Sequence, residues 1–261
     1  MAPAFDNTDA GDGAAADDPA ADDRAADDVG AGDAAHGVPA LDLPVWSSLT
    51  GTHAGLAEVH GACRRYPMDV SIFAAVDPDD PGGWADLRAT IAVGGFAALV
   101  GQVVPEGVGL EVVFREDAPQ FVLEGEPKAE PLDDIGVLTE HDWDDMAALV
   151  RETDPGPWGP RTALLGTYLG LKRDGRLVAM AGERTHPAGA TEISAVCTHP
   201  DVRRQGVAGR LTAEVARRIQ ARGELPFLHT AAANEAARRV YRAVGFRERR
   251  RIEFVGVVAA G

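Results

Sequence analysis

From Val207 the apolar positions fall four apart, at Leu211, Val215 and Ile219, with arginines and Glu214 between them. That spacing draws one stripe on an α-helix and predicts its start at about Gly206 and its end at Arg222-Gly223, where glycine supplies a left-handed cap. Just upstream, Ile193, Ala195 and Val196 read as a buried strand over 191–198, stopped near His199 because Pro200 has no N–H for a ladder. Residues 166–172 and 176–184 are two more strands, joined across Asp174-Gly175, a dipeptide that favours a hairpin turn. A strand at 226–229, a helix at 234–244 and a closing strand at 246–258 follow. Earlier, 135–138 is a strand, and Thr139 opens a helix through Trp143, Met146, Leu149 and Val150 that ends before Asp154-Pro155. A hairpin followed by strand–helix–strand alternation predicts an α/β (α+β) fold, a mixed, mostly antiparallel sheet flanked by helices.

The chain before residue 131 divides in two. Residues 1–40 are almost all Ala, Asp and Gly, so no core can form and a disordered, solvating tail is expected. From Leu41 the composition turns globular, with helices at 53–66 and 84–92 and an apolar, mixed stretch at 68–75. Short strands follow at 96–100, 109–115 and 119–123, the last two separated by a turn at 116–118. These make a smaller α+β N-terminal unit, 41–130, ending in a Glu- and Pro-rich strip, 124–133, that reads as the linker to a second domain, 131–261.

Charge and cysteine usage narrow the function classes. The net charge is -16, and ten Asp against Arg24 in residues 1–40 leave about -7 for the remainder. An acidic chain is a poor nucleic-acid binder, so the basic run from Arg238 to Arg251 reads as a solvated face. Only Cys63 and Cys197 are present, far apart in the chain, which argues against a disulfide framework and fits a reducing cytosol. Cys197 reads as a buried strand residue rather than a nucleophile. No basic start with an apolar core opens the chain, and the longest apolar run, 91–104, is too short and glycine-interrupted to span a bilayer. A cytoplasmic protein with no membrane partner is expected.

The most informative stretch is 197–211, C-T-H-P-D-V-R-R-Q-G-V-A-G-R-L. Gly206, Ala208 and Gly209 remove side chains where the first helical turn exposes unpaired N–H groups, and Arg203, Arg204 and the positive end of the helix dipole add to the attraction. The arrangement suits a pyrophosphate, although the glycines alone favour an ordinary helix start. With its flanks, the stretch resembles the GCN5-related N-acetyltransferase (GNAT) superfamily, whose signature [R/Q]-x-x-G-x-[G/A] is matched by Arg203, Gly206 and Ala208. Asn234 and Tyr241, seven residues apart, follow in the family's order, and Cys197-Thr198-His199-Pro200 with Gly245-Phe246 resembles the bacterial FR47-like subgroup. The resemblance covers about the last half of the chain.

The resemblance implies acetyl-CoA as co-substrate and no metal. Backbone groups of Val196, Cys197 and Thr198 would pair with the pantetheine arm, and Arg204, Gln205, Gly206, Val207, Ala208 and Gly209 would hold the pyrophosphate. Asn234 would cap its helix and contact the cofactor. Glu192 is the expected proton acceptor, with Glu183 and His229 in reserve, and Tyr241 the acid for the departing thiolate. Trp158, in the stiff loop 155–160, either contacts the acceptor or anchors the loop, and His229 is a second candidate for the acceptor side. The expected reaction is direct acetyl transfer to a primary amine of a small molecule, by a monomer or homodimer. A non-catalytic acyl-CoA sensor, or an enzyme acting on protein N-termini or lysines, remains the alternative. The N-terminal unit is expected to be a shortened acetyltransferase-like half, by analogy with double members of the family.

Overall fold

The computed structural model describes residues 39–91, 95–132 and 134–260, so nearly all of the expected tail lies outside the described residues. The chain enters through helix α1 (Pro44–Thr50), then forms a three-stranded antiparallel sheet from β1 (Glu58–His60), β2 (Cys63–Arg65) and β3 (Ala74–Val76). Helix α2 (Gly83–Thr90) leads to β4 (Phe96–Val100) and the long β5 (Leu110–Val122). Next come β6 (Ile135–Val137), α3 (Trp143–Thr153), the hairpin β7 (Tyr168–Arg173) and β8 (Arg176–Glu183), and β9 (Ala190–Thr198). The chain closes with α4 (Val207–Ala221), β10 (Leu225–His229), α5 (Glu235–Val244) and β11 (Arg247–Ala259).

Eight strands form one sheet in the order β4-β11-β5-β10-β9-β8-β7-β6, antiparallel throughout except for the β9/β10 pair. The last strand of the chain therefore inserts between two strands of the N-terminal half, and β5 in turn lies between β11 and β10. β3, α2 and β4 repeat in miniature the strand–helix–strand of β9, α4 and β10, with one parallel bridge from Phe73, just before β3, to Ala98 in the middle of β4. Leu211, Val215 and Ile219 of α4 and Val244 of α5 pack on Val178, Ile193 and Leu228 on one face of the sheet. Met146 and Leu149 of α3 cover Met180 and Cys197 on the other, and on that same side α1 packs Val45 and Leu49 with Phe73 and Ile252.

Three local expectations change. Residues 53–66 are no helix: after one 3-10 turn they make the β1/β2 hairpin, because Gly61 adopts φ 53° at its turn and a Cβ there would fall 2.2 Å from the Asp86 carboxylate that accepts Ala62 N–H. The expected turn at 116–118 is mid-strand, since β11 pairs continuously alongside β5 and overrides the weak strand propensity of Glu116-Asp117-Ala118-Pro119. Over its described residues 124–132 the strip is a strap rather than a free linker: Arg217 donates to the Ala129 carbonyl, Arg210 Nη2 to that of Pro131 at 2.5 Å, and Lys128 N–H to the Val244 carbonyl at 2.7 Å.

The N-terminal half is pinned to the sheet by polar contacts as well as by strands. Ser48 Oγ accepts the His186 N–H at 2.6 Å, and the ring of His53 lies 4.7 Å from that of His186 while sharing a 2.8 Å hydrogen bond with the Tyr66 hydroxyl. Burial, and then the proximity of His186, push the His53 pKa down to about 4. An unfolded histidine titrates near 6.5, so the stability present above that pH drains away as pH falls toward 4. At about pH 5 the loss from His53 is about 2 kcal/mol. Urea midpoints measured at neutral pH and at about pH 5 should differ accordingly, and His53→Asn should flatten the difference.

Candidate active site

The site is built where β9 and β10 part. Their parallel pairing is confined to Ala190, Thr191 and Glu192 against Leu225, Pro226 and Phe227, and beyond these the two strands diverge. A bulge widens the gap: the β8/β9 register shifts between Gly182 opposite Ser194 and Met180 opposite Cys197, with Ala195 at φ 50°. One extra residue reverses the side-chain alternation, so Ile193 and Val196 both face α4, whereas Glu192 and Cys197 both face the α1/α3 side. The β10 side of 196–198 is thereby left without a strand partner, an edge that an extended ligand can fill.

At the top of the splay the 3-10 turn Pro200–Val202 is capped by His199, whose Nδ1 accepts the Asp201 N–H at 3.2 Å. Arg203 Nε donates to the Thr198 carbonyl at 3.3 Å, and Gln205 Nε2 to that of Asp201 at 3.1 Å, which fixes the loop's course into α4. Arg204 and Gly206 stand at φ 59° and 73°. Gly206 is the N-cap of α4 with no side-chain hydrogen bond to the helix, and a Cβ placed on it would meet nothing within 4 Å. Unpaired N–H groups thus face open space, flanked by exposed Arg203 and Arg204. Val207 buries its side chain in the core and offers only its backbone, while Ala208 and Gly209 keep the next positions low. These features fit a pyrophosphate.

Across the gap, Asn234 Oδ1 accepts the Ala237 N–H at 3.0 Å, capping α5 and leaving its amide nitrogen available. Tyr241 lies on α5, its ring 6.3 Å from both Phe121 and Phe246. Burial pushes its hydroxyl up to about 12, with Arg184 pulling the other way, so it is protonated at neutral pH. Cys197 is buried, and burial raises its thiol to about 11, the opposite of what a nucleophile needs.

Glu192 is not poised as a proton acceptor. It is 1% exposed and both oxygens are engaged: by Arg184 Nε and Nη2 at 3.0 and 2.5 Å, Thr185 Oγ1 at 2.7 Å and His229 Nδ1 at 2.6 Å. Burial alone would raise its pKa, but the Arg184 charge, with His229, outweighs that and holds it well below the usual carboxylate range. Arg184 is itself held over Phe73 and Phe254, at 5.0 and 5.8 Å. Gln120 donates to the Leu41 carbonyl and to His229 Nε2, and its oxygen accepts from Arg249, so the Nδ1 of His229 is the protonated nitrogen. The reserve candidates are likewise occupied, His229 at both ring nitrogens and Glu183 by Thr167 N–H and Arg222. Trp158 stacks edge-on against Tyr168 at 5.5 Å in the α3 cluster, and its loop docks on the N-terminal half through Arg161 N–H to the Asp69 carbonyl. That is anchoring. Sequence reasoning missed Arg184, Gln120 and the Ala195 bulge; alanine carries no signal for a positive φ.

The sequence profile of the FR47-like protein family matches residues 168–255, the part of the chain that holds the splay and the α4 and α5 termini. Among solved structures, a protein from Novosphingobium aromaticivorans described as an acetyltransferase from the GNAT family is 36% identical, with a TM-score of 0.78 over 85% of this chain and 99% of its own. A GCN5-related N-acetyltransferase from Kribbella flavida has the same fold at 22% identity, with a TM-score of 0.54 over 84% of this chain and 96% of its own. No protein of curated function matches the sequence. Among the described residues no group of side chains is arranged to hold a metal ion, and no helix is long and apolar enough to cross a membrane. The chain belongs to the GNAT family of acyltransferases, with an FR47-like segment at residues 168–255.

Proposed function

We propose that the chain transfers an acetyl group from acetyl-CoA directly to the primary amine of a small molecule. The observation that carries this reading is the bare N-terminus of α4 standing beside the unpartnered edge of β9, one suited to a pyrophosphate and the other to the pantetheine arm. When bound, acetyl-CoA supplies an activated thioester. Gly206, Val207, Ala208 and Gly209 contribute backbone N–H groups, Arg204 and Gln205 the rim, and Val196, Cys197 and Thr198 the strand edge. The Asn234 amide adds a contact from the opposite wall. Tyr241, kept neutral by burial, gives its proton to the leaving sulfur.

With Glu192 neutralised by Arg184, its part is to hold the wall of the cleft in shape, and the amine's proton passes to water in the open splay. The N-terminal half, 41–130, is in this reading a degenerate acetyltransferase-like half, supported by its β3–α2–β4 repeat and by the exchange of β5 and β11. Calorimetric titration with acetyl-CoA and CoA tests the central claim. Micromolar binding, worth about 8 kcal/mol, is the expected result, followed by thiol release against a panel of amines. No binding to either would sink the proposal.

A further inference from the structure

Glu116 stands apart from the other acidic side chains around the splay. It lies in the regular part of β5, where Glu116, Ala118 and Gln120 share a face and Phe254 and Ile252 sit opposite Glu116 and Ala118. Gln120 reaches His229 and Ile252 packs under α1, so that face is the α1/α3 side, the one toward which Glu192 points. Glu116 is four residues beyond Gln120, about 13 Å further along the strand, past the level where β9 leaves β10. The chain that follows β10 runs beside it: Thr230 N–H donates to the Pro119 carbonyl and Ala232 N–H to that of Asp117, both at 3.3 Å, before Asn234 opens α5.

Its neighbours on the strand are paired, Arg115 with Glu253 and Asp117 with Arg251. Glu116 is half-buried and has neither an ion pair nor a hydrogen bond among the described residues. Burial raises its pKa, as expected of a carboxylate partly stripped of water with no cation to offset the loss. On this face Glu192 is spent on Arg184. A free, partly desolvated anion at the mouth of an amine site is a binding point for a cation.

Resting on the acetyltransferase reading above, we propose that Glu116 pairs with a second positive charge on the acceptor, so that the site selects diamines and polyamines over monoamines. The N-terminal half thereby supplies a specificity-determining residue through β5. The overall acidity outside the tail favours the approach of such a cation.

The test compares kcat/KM for spermidine, putrescine and butylamine in the wild type and in Glu116→Gln, with acetyl-CoA affinity measured on both. The wild type is expected to prefer at least one polycation by about tenfold, as a charged hydrogen bond warrants. The variant should lose that preference through KM while its acetyl-CoA affinity and thermal midpoint stay unchanged. A wild type indifferent to the second charge, or one that turns over none of the three, overturns the proposal, as does a preference that survives Glu116→Gln. Failure to bind acetyl-CoA at all would instead remove the acetyltransferase reading and this inference together.

Discussion

Glu192→Ala is expected to cost the fold about 4 kcal/mol and so lower the thermal midpoint by roughly 8–16 °C. The substitution removes the counter-ion of Arg184 and leaves the protonated Nδ1 of His229 without an acceptor. Both partners are largely buried, so water cannot replace what is lost, and breaking a buried pair costs more than the pair contributes. Arg184 is also the cation between Phe73 and Phe254, which tie the N-terminal half to the closing strand, so the loss should loosen that seam first. Glu192→Gln should be milder, since an amide oxygen still accepts from Arg184. Differential scanning calorimetry decides the matter. If either variant keeps the wild-type midpoint while kcat falls a hundredfold, Glu192 is the proton acceptor after all.

Tyr241→Phe should lower kcat by about a hundredfold, the lower range for loss of a positioned acid, and should leave acetyl-CoA affinity within a factor of two. The ring contributes packing against Phe121 and Phe246, which phenylalanine keeps. Stability should therefore barely change. The pH dependence follows from the raised hydroxyl pKa: a neutral acid that titrates at about 12 stays competent through the whole accessible range, so Tyr241 should not produce a basic limb below about pH 10. Single-turnover rates across pH check this, and an unchanged kcat in the variant would remove Tyr241 from the reaction.

Much of this molecule is legible along the chain because it is written locally. The α4 stripe of Val207, Leu211, Val215 and Ile219, the Asp174-Gly175 turn, the Asn234 cap and the glycine end caps at Gly223 and Gly245 each arise from residues within a few positions of one another. The cradle at Gly206 belongs with them, since a helix N-terminus and its preceding loop are contiguous. Tertiary structure decided what depends on distant partners. Whether 116–118 turned or stayed extended depended on β11, more than a hundred residues away, supplying the other side of its ladder. The same exchange carried Glu116 to the splay and buried Glu192 under Arg184, Phe73 and Phe254. A carboxylate reads alike in sequence whether it faces water, an arginine or an open cleft; burial and the nearest charge settle its chemistry, and only the assembled sheet fixes both.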